Sequence, residues 1–374
     1  MMKPASFLVS LALAVALAGC GQQSKPRYQP EGDDYPEKLS GWGMLHLDGG
    51  HLTPAAEVLP YDLNTPLFTD YAHKLRTVWM PQGQAAQYAE ERFDYPVGTV
   101  LTKTFYYPKD AQGNLLLNSQ DDRDPKAGLD LARVHLVETR VLVRQKGGWA
   151  ALPYVWNADQ SEATLELAGD SPALELTAAD GRKTAFTYMV PDANQCSECH
   201  AEQKGGGIAP LGPKARHLNK DFAYAEGSDN QLQHWQARGF LKGLPALAQV
   251  PQNALWGHPR EGETLEKQAR SYLDANCSHC HNPRGAARTS GLYLDAHTPV
   301  SIAYGVCKPP VAAGGGTGGR LEDIHPGSPE KSVLSYRVGS DKPGDMMPEL
   351  GRALVHHEGL EMLDRWIASL PGDC

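Results

Sequence analysis

Apolar and polar residues alternate along much of the segment between residues 41 and 190. Such alternation is typical of strands with one buried face. The clearest alternating runs are 99–107, 133–144, 149–156, 164–167 and 184–189. Gly147 and Gly148 separate the second run from the third, which predicts a hairpin. The pattern therefore predicts a β-sandwich-like domain over residues 41–190.

Beyond residue 190 the spacing of the apolar residues becomes helical. An apolar residue recurs every three or four positions over 264–276 and again over 358–370, where Pro371 and Gly372 end the pattern. A shorter helix is expected over 230–237. The expected fold class is therefore α+β and multidomain, with the N-terminal β-sandwich-like domain followed by mainly α-helical domains.

The start of the chain carries a short apolar run, residues 7–18, behind Lys3. This length suits the core of a signal peptide better than a membrane span. Small residues lead into Cys20 and resemble a bacterial lipobox, which implies cleavage before Cys20 and its lipidation; an ordinary secretory signal is the alternative. Gly21 after the cysteine implies sorting to the outer membrane. Lipid chains would then anchor the protein without spanning the bilayer.

Composition and charge argue against one class of partner. The 374-residue chain is 41% hydrophobic and 21% charged, which is ordinary for a globular protein. Its formal net charge is −9, so nucleic acid is not an expected partner. An acidic protein of this kind is suited to a partner with a positive patch.

The sequence Cys-x-x-Cys-His occurs twice. Its residues are Cys196, Cys199 and His200 in the first copy, and Cys277, Cys280 and His281 in the second. Two thiols at this spacing can bond to the two vinyl groups of one porphyrin, and the next imidazole can bind its iron. A zinc site does not require the histidines, and a thioredoxin-like pair needs a βαβ context that the pattern does not predict. The motifs predict two covalently bound c-type haems, with His200 and His281 as axial ligands.

The second motif is followed by Met347, which precedes Pro348 and the predicted terminal helix. This arrangement resembles a class I cytochrome c domain. The resemblance implies that Met347 is the other axial ligand of the second haem, with Met346 as the alternative. Methionine and histidine together raise the reduction potential and leave no open coordination position, which suits electron transfer.

The other axial ligand of the first haem stays open at this point. The candidates are His217, His73 and Met80, or no side chain at all. Met189, seven residues before Cys196, is a further sulfur donor nearby in the sequence. An unfilled position would make the first haem a reactive site.

Seven cysteines are present. With Cys20 as the lipid anchor and four cysteines in the two motifs, Cys307 and Cys374 are left over. In an oxidising cell envelope, two remaining thiols of an exported protein usually pair. The sequence therefore predicts a Cys307–Cys374 disulfide.

Six blocks of the chain together resemble an uncharacterised family of bacterial two-haem c-type cytochromes, often encoded beside a parallel β-helix repeat protein. The blocks are 61–71, 152–157, 210–216, 275–285, 304–310 and 346–352. The resemblance implies two haems and export. It also makes a parallel β-helix repeat protein a candidate redox partner.

These features predict five regions. They are a lipoprotein signal peptide at 1–19, an acylated tether at 20–40, a β-rich domain at 41–190, a first haem-binding region at 191–260, and a cytochrome c-like domain with the second haem at 261–374. We expect a lipid-anchored protein of the bacterial cell envelope, facing the periplasm or the cell surface, that transfers single electrons between a redox partner and an acceptor. Two alternatives are a two-haem peroxidase-like enzyme with an open first haem and a binding module built on the β-rich domain.

Overall fold

The computed structural model describes residues 34–117, 128–201, 206–311 and 313–374. The predicted signal peptide, the lipidation at Cys20 and most of the tether lie outside the described residues. The strands are β1 Leu45–Asp48, β2 His51–Pro54, β3 Leu59–Tyr61, β4 His73–Trp79, β5 Ala86–Gln87, β6 Val100–Pro108, β7 Leu115–Leu116, β8 Leu129–Asp130, β9 Val134–Gln145, β10 Gly148–Trp156, β11 Ala163–Leu165, β12 Ala173–Thr177, β13 Lys183–Thr187, β14 Asp221–Tyr224, β15 Gly227–Asn230 and β16 Leu241–Lys242. The α helices are α1 Ala193–His200, α2 Ala215–Leu218, α3 Gln231–Ala237, α4 Leu265–Asn276, α5 Val333–Val338 and α6 His357–Ser369.

A six-stranded antiparallel sheet in the order β11-β10-β9-β6-β4-β3 is the largest element. The predicted hairpin is confirmed as β9 and β10, which pair around Gly147 and Gly148. One face of the sheet packs against the small sheet β1-β2-β8 through a core that includes Leu52, Tyr106 and Tyr154. Alternation along the strands places these apolar side chains on that one face.

The opposite face of the large sheet packs against chain that follows residue 190. Val78 and Leu101 of the sheet share a core with Leu218, Leu232 and Trp235 of α2 and α3. The segment after the first motif is therefore held by the sheet rather than by helices of its own. This packing places the first motif directly over the sheet.

The C-terminal core is built by α4 and α6. The helices expected over 264–276 and 358–370 are confirmed, and the Thr264 hydroxyl caps α4 by accepting from the Lys267 backbone N–H at 3.2 Å. Leu273 and Trp366 are fully buried where the two helices meet. This core fixes the direction in which α4 enters the second motif.

The expected fold class, a β-sandwich-like domain followed by mainly α-helical haem domains, is wrong. Over the described residues the structure is mainly β, with 27% strand, 21% helix, several antiparallel sheets and six α helices. Glycine and proline are frequent after residue 190, and these residues interrupt helices. Turns, single 3-10 turns and a hairpin of β14 and β15 fill the intervals between the short helices. None of the helices within the described ranges has the length and apolar character needed to cross a bilayer.

Candidate functional site

The first motif lies on α1. Asp192 caps this helix by accepting from the backbone N–H groups of Asn194 and Gln195 at 2.8 Å, and its own backbone N–H donates to Gln195 Oε1 at 3.0 Å. His200 is the last residue of the helix, and its Nδ1 donates to the Ala209 carbonyl at 2.9 Å. Because a carbonyl can only accept, this bond leaves the lone pair of His200 on Nε2.

His200 is neutral at ordinary pH. Burial, followed by the positive charge of Lys103, lowers its pKa to about 3. Neutral imidazole with one nitrogen fixed by a backbone carbonyl is the form in which histidine ligates metals. The ring of His200 lines a cavity of about 180 Å³ beside Cys196 and Cys199, the first cavity.

The second motif begins where α4 ends. The backbone N–H of Cys277 still bonds to the Leu273 carbonyl at 2.9 Å, so the helix leads directly into the motif. The ring of His281 hydrogen-bonds the backbone of Leu292, and its Nδ1 lies 3.5 Å from the Ser290 hydroxyl. Burial lowers the pKa of His281 to about 4, so this ring is neutral as well. Both motif histidines are thus fixed and uncharged.

The two motifs meet in space although they are distant in sequence. Donor atoms of Cys199, His279 and Cys280 all lie within 4.8 Å of one another. The first cavity and the cavity beside the second motif also share wall residues, among them Cys199, His279 and Pro348. The structure therefore forms one site with two compartments.

The second cavity has a volume of about 330 Å³. Its wall combines Cys277, Cys280 and His281 with Met347 and apolar side chains such as Leu294. Met346 is buried and does not appear on this wall. Of the two neighbouring methionines, Met347 is the one brought together with His281.

The loop that carries Met347 is held by Arg352. This nearly buried guanidinium donates to the Met347 carbonyl from Nη2 at 2.8 Å and to the Ser340 carbonyl at 2.8 Å. Asp70 fixes the chain just beyond, because its carboxylate accepts from the backbone N–H groups of Ala353 at 2.8 Å and Leu354 at 2.7 Å. Burial raises the pKa of Asp70 to about 6. The position of Met347 thus depends on two residues that the sequence analysis did not identify as functional.

The candidates for the open ligand of the first motif are separated by the structure. His217 and Met189 line the first cavity, whereas His73 and Met80 do not. Met80 is buried in the core between the sheet and α3. His73 lies on β4 and stacks on Tyr106 at 5.7 Å between ring centroids. The Nε2 atom of His217 is hydrogen-bonded to Asp274 at 2.8 Å.

Asp274 joins the chain after the first motif to the helix before the second. Its fully buried carboxylate accepts from Arg216 Nε at 2.9 Å, Lys214 Nζ at 3.1 Å and Asn253 Nδ2 at 3.1 Å. Burial alone would raise the pKa of Asp274, but hydrogen bonds from His217 and Arg216 outweigh it and hold that pKa well below its usual value. The carboxylate is therefore ionised and holds the two compartments together.

The last predicted feature is the disulfide of the two remaining cysteines. Cys307 and Cys374 form a disulfide with their Cα atoms 5.4 Å apart, the pair that the cysteine count predicts. The disulfide fixes the end of the chain after α6 and takes no part in either cavity.

Comparison with protein-family models, with curated proteins and with solved structures gives no significant match to this chain.

Proposed function

We propose that this chain is an exported two-haem c-type cytochrome that passes single electrons between a redox partner protein and an acceptor. The observation that carries the proposal is the contact between the two Cys-x-x-Cys-His motifs at Cys199, His279 and Cys280. Two cofactors held by these cysteines would be neighbours, which is the arrangement a two-step electron relay needs.

The residues present fit such a group. Each cavity has the two thiols and the histidine of one motif on its wall, and thiols and imidazole are the donors that c-type attachment uses. Nδ1 of His200 is occupied by a backbone carbonyl, so Nε2 is left for the iron. Apolar side chains such as Leu292, Leu294 and Val338 form much of the second cavity wall and lower the dielectric around a redox centre.

Each side chain has a defined task in this proposal. Cys196 and Cys199 would hold the first haem, and His200 would bind its iron. Cys277 and Cys280 would hold the second haem, with His281 and Met347 on its iron. A bound haem supplies a one-electron couple at iron. The chain fixes the ligands, excludes water and keeps both compartments in contact.

A second candidate function follows from the first cavity. His73 and Met80 do not reach it, and the Nε2 of His217 is already bonded to Asp274. These contacts favour a first haem with an open position, as in a peroxidase-like enzyme. Met189 is the methionine on the same wall that would close that position.

Haem staining of the denatured protein tests the main proposal. The wild type is expected to carry two covalent haems, and Cys196→Ala or Cys277→Ala to reduce the covalent haem content. Cys307→Ser is the matched control, because this cysteine lies outside both cavities and should leave two haems. Wild-type protein without covalent haem would refute the proposal.

Ferric spectra separate the two candidate functions. An electron carrier with both positions filled is expected to be entirely low-spin and unreactive toward carbon monoxide and peroxide. A high-spin fraction that binds these ligands, and that Met189→Leu leaves unchanged, supports the enzyme instead. Potentiometric titration should then show one-electron steps for both haems in either case.

A further inference from the structure

Three cationic side chains form a row across the large sheet. The strand register pairs Arg76 of β4 with Lys103 of β6, and Lys103 with Arg140 of β9. Like charges directly opposite one another destabilise an antiparallel pair. All three residues also line the first cavity, together with Cys196 and His200. The sheet thus presents three positive charges to the first motif.

The two outer members of the row have carboxylate partners. Arg76 pairs with Asp62 at 2.7 Å, and Arg140 makes two hydrogen bonds to the buried Glu138 carboxylate, at 2.8 Å and 2.6 Å. The central member does not. Among the residues that the structure describes, Lys103 Nζ has neither a hydrogen bond nor an ion pair.

The nearest favourable contact of Lys103 is aromatic. Its Nζ lies 5.0 Å from the centroid of the Phe105 ring. A cation–π contact is weaker than the cost of removing an ammonium group from water. Burial, followed by the charges of Arg140 and Arg76, lowers the pKa of Lys103 to about 7. The row is therefore one negative charge short on the cavity side.

A row of three adjacent cations with carboxylate partners for only two of them destabilises the sheet. Residues with no functional role would not be expected to form such a row. A neutral side chain at position 103 would remove two like-charge contacts at once. Departures of this kind from local stability are typical of functional sites. The cavity in front of the row is where a negative group can enter.

We propose that the Arg76–Lys103–Arg140 row binds a carboxylate in the first cavity, with the Lys103 ammonium as its main contact. The inference rests on the proposed function, because the site lies on the wall of the first haem compartment. Two sources carry this chemistry: the carboxylate groups of a haem held by Cys196 and Cys199, or a free small carboxylate from solution.

The experiment uses the full-length protein with both haems attached. Haem content is measured first, so that a missing haem counts against the proposed function and not against this site. The variants are Lys103→Gln, the conservative Lys103→Arg, and Lys109→Gln as a control. Lys109 follows β6 directly and is not on the cavity wall.

Three measurements follow on each variant. They are the two midpoint potentials, the ferric absorption spectrum during a formate titration, and the midpoint of urea unfolding. If the carboxylate belongs to the haem, Lys103→Gln lowers one midpoint potential, because a lost positive charge disfavours the reduced state, and formate has no effect on the wild type. If the carboxylate is free, formate changes the wild-type spectrum saturably, and Lys103→Gln loses that response.

Lys103→Arg should keep the wild-type behaviour in both cases, and Lys109→Gln should match the wild type throughout. The urea midpoint shows whether Lys103 has a bound carboxylate or is an unpaired cation, and this measurement does not depend on the haem spectrum. With a carboxylate bound, Lys103→Gln unfolds at lower urea than the wild type. A Lys103→Gln protein that is more stable than the wild type, with unchanged potentials and formate response, would overturn the proposal.

Discussion

Asp274 offers the sharpest test of how the site is held together. Its carboxylate is fully buried and accepts hydrogen bonds from Arg216, Lys214, His217 and Asn253. Three of these partners lie in the segment after the first motif, whereas Asp274 lies three residues before the second. Asp274→Asn keeps the shape of the side chain and removes its charge. The substitution therefore leaves the cations without their shared anion.

The loss of unfolding free energy in Asp274→Asn can be estimated from the solvent exposure of the side chains that pair with Asp274. Arg216 has 2% of its side chain exposed, so water cannot replace the lost carboxylate. Its other partner, Glu91, is 51% exposed and is therefore a weaker counterion. Breaking a buried ion pair by removing one member costs about 3 to 5 kcal/mol. We expect Asp274→Asn to lower the free energy of unfolding by that amount.

Urea unfolding followed by far-ultraviolet circular dichroism measures the change. Asp180→Asn is the matched control, because Asp180 makes the same kind of pair with Arg182 at 2.7 Å on an exposed turn. The control should unfold at the wild-type midpoint. If Asp274→Asn also unfolds at the wild-type midpoint, the buried network does not hold the two compartments together.

The pH dependence of the stability difference between the wild type and Asp274→Asn provides a second check. The pKa of Asp274 is depressed in the folded protein below its ordinary value of 3.8. A carboxyl group whose pKa is lower in the folded than in the unfolded protein stabilises the fold at any pH above the unfolded-state pKa. This stabilisation is lost as the pH falls through the folded-state pKa. The stability difference between wild type and Asp274→Asn should therefore be constant above about pH 5 and shrink below about pH 4. A difference that grows on acidification would contradict the assignment.

Two further predictions concern the second compartment and the end of the chain. Met347→Leu should lower one midpoint potential in a potentiometric titration, because methionine ligation raises the potential, whereas Met346→Leu should leave both potentials unchanged. Cys307→Ser should reduce the free energy of unfolding by about 4 kcal/mol, since the disulfide closes a sequence separation of 67 residues. Cys374→Ser should give the same loss, and a double variant should add nothing further.

Local patterns predict the elements but not the fold class. The β9–β10 hairpin and the helices α4 and α6 follow from alternation, turn residues and helical spacing, all of which act within a dozen residues. The segment between residue 190 and α4 is different. Its apolar residues, such as Trp235, share a core with the large sheet, and its helices are short. Periodicity does not specify which surface an apolar residue meets, so mainly helical domains were the wrong expectation.

In the candidate site, too, local features can be predicted from the sequence and long-range contacts cannot. Cys-x-x-Cys-His is a local motif, and both copies are visible in the sequence. The contact between Cys199 and Cys280 is not local, because it depends on Asp274 joining two distant segments. Arg352 and Asp70 fix the Met347 loop through backbone groups, and such contacts leave no spacing signal. The motif residues are thus predictable from the sequence, whereas the residues that position them are not.

The two compartments differ in the balance of positive and negative side chains around them. Between the motifs, the buried Asp274 carboxylate accepts from four side chains, and on the sheet Glu138 and Asp62 neutralise the ends of the row. Among the described residues, the central cation of the row, Lys103, has no ion-pair partner, and it lines the first cavity. A compartment that lacks one negative charge is built to receive an anionic group. The wall of the second cavity instead carries Met347 and His281 together with charged side chains of both signs, among them Arg337, Asp323 and Glu349. The first compartment is therefore where ligand chemistry beyond electron relay would occur.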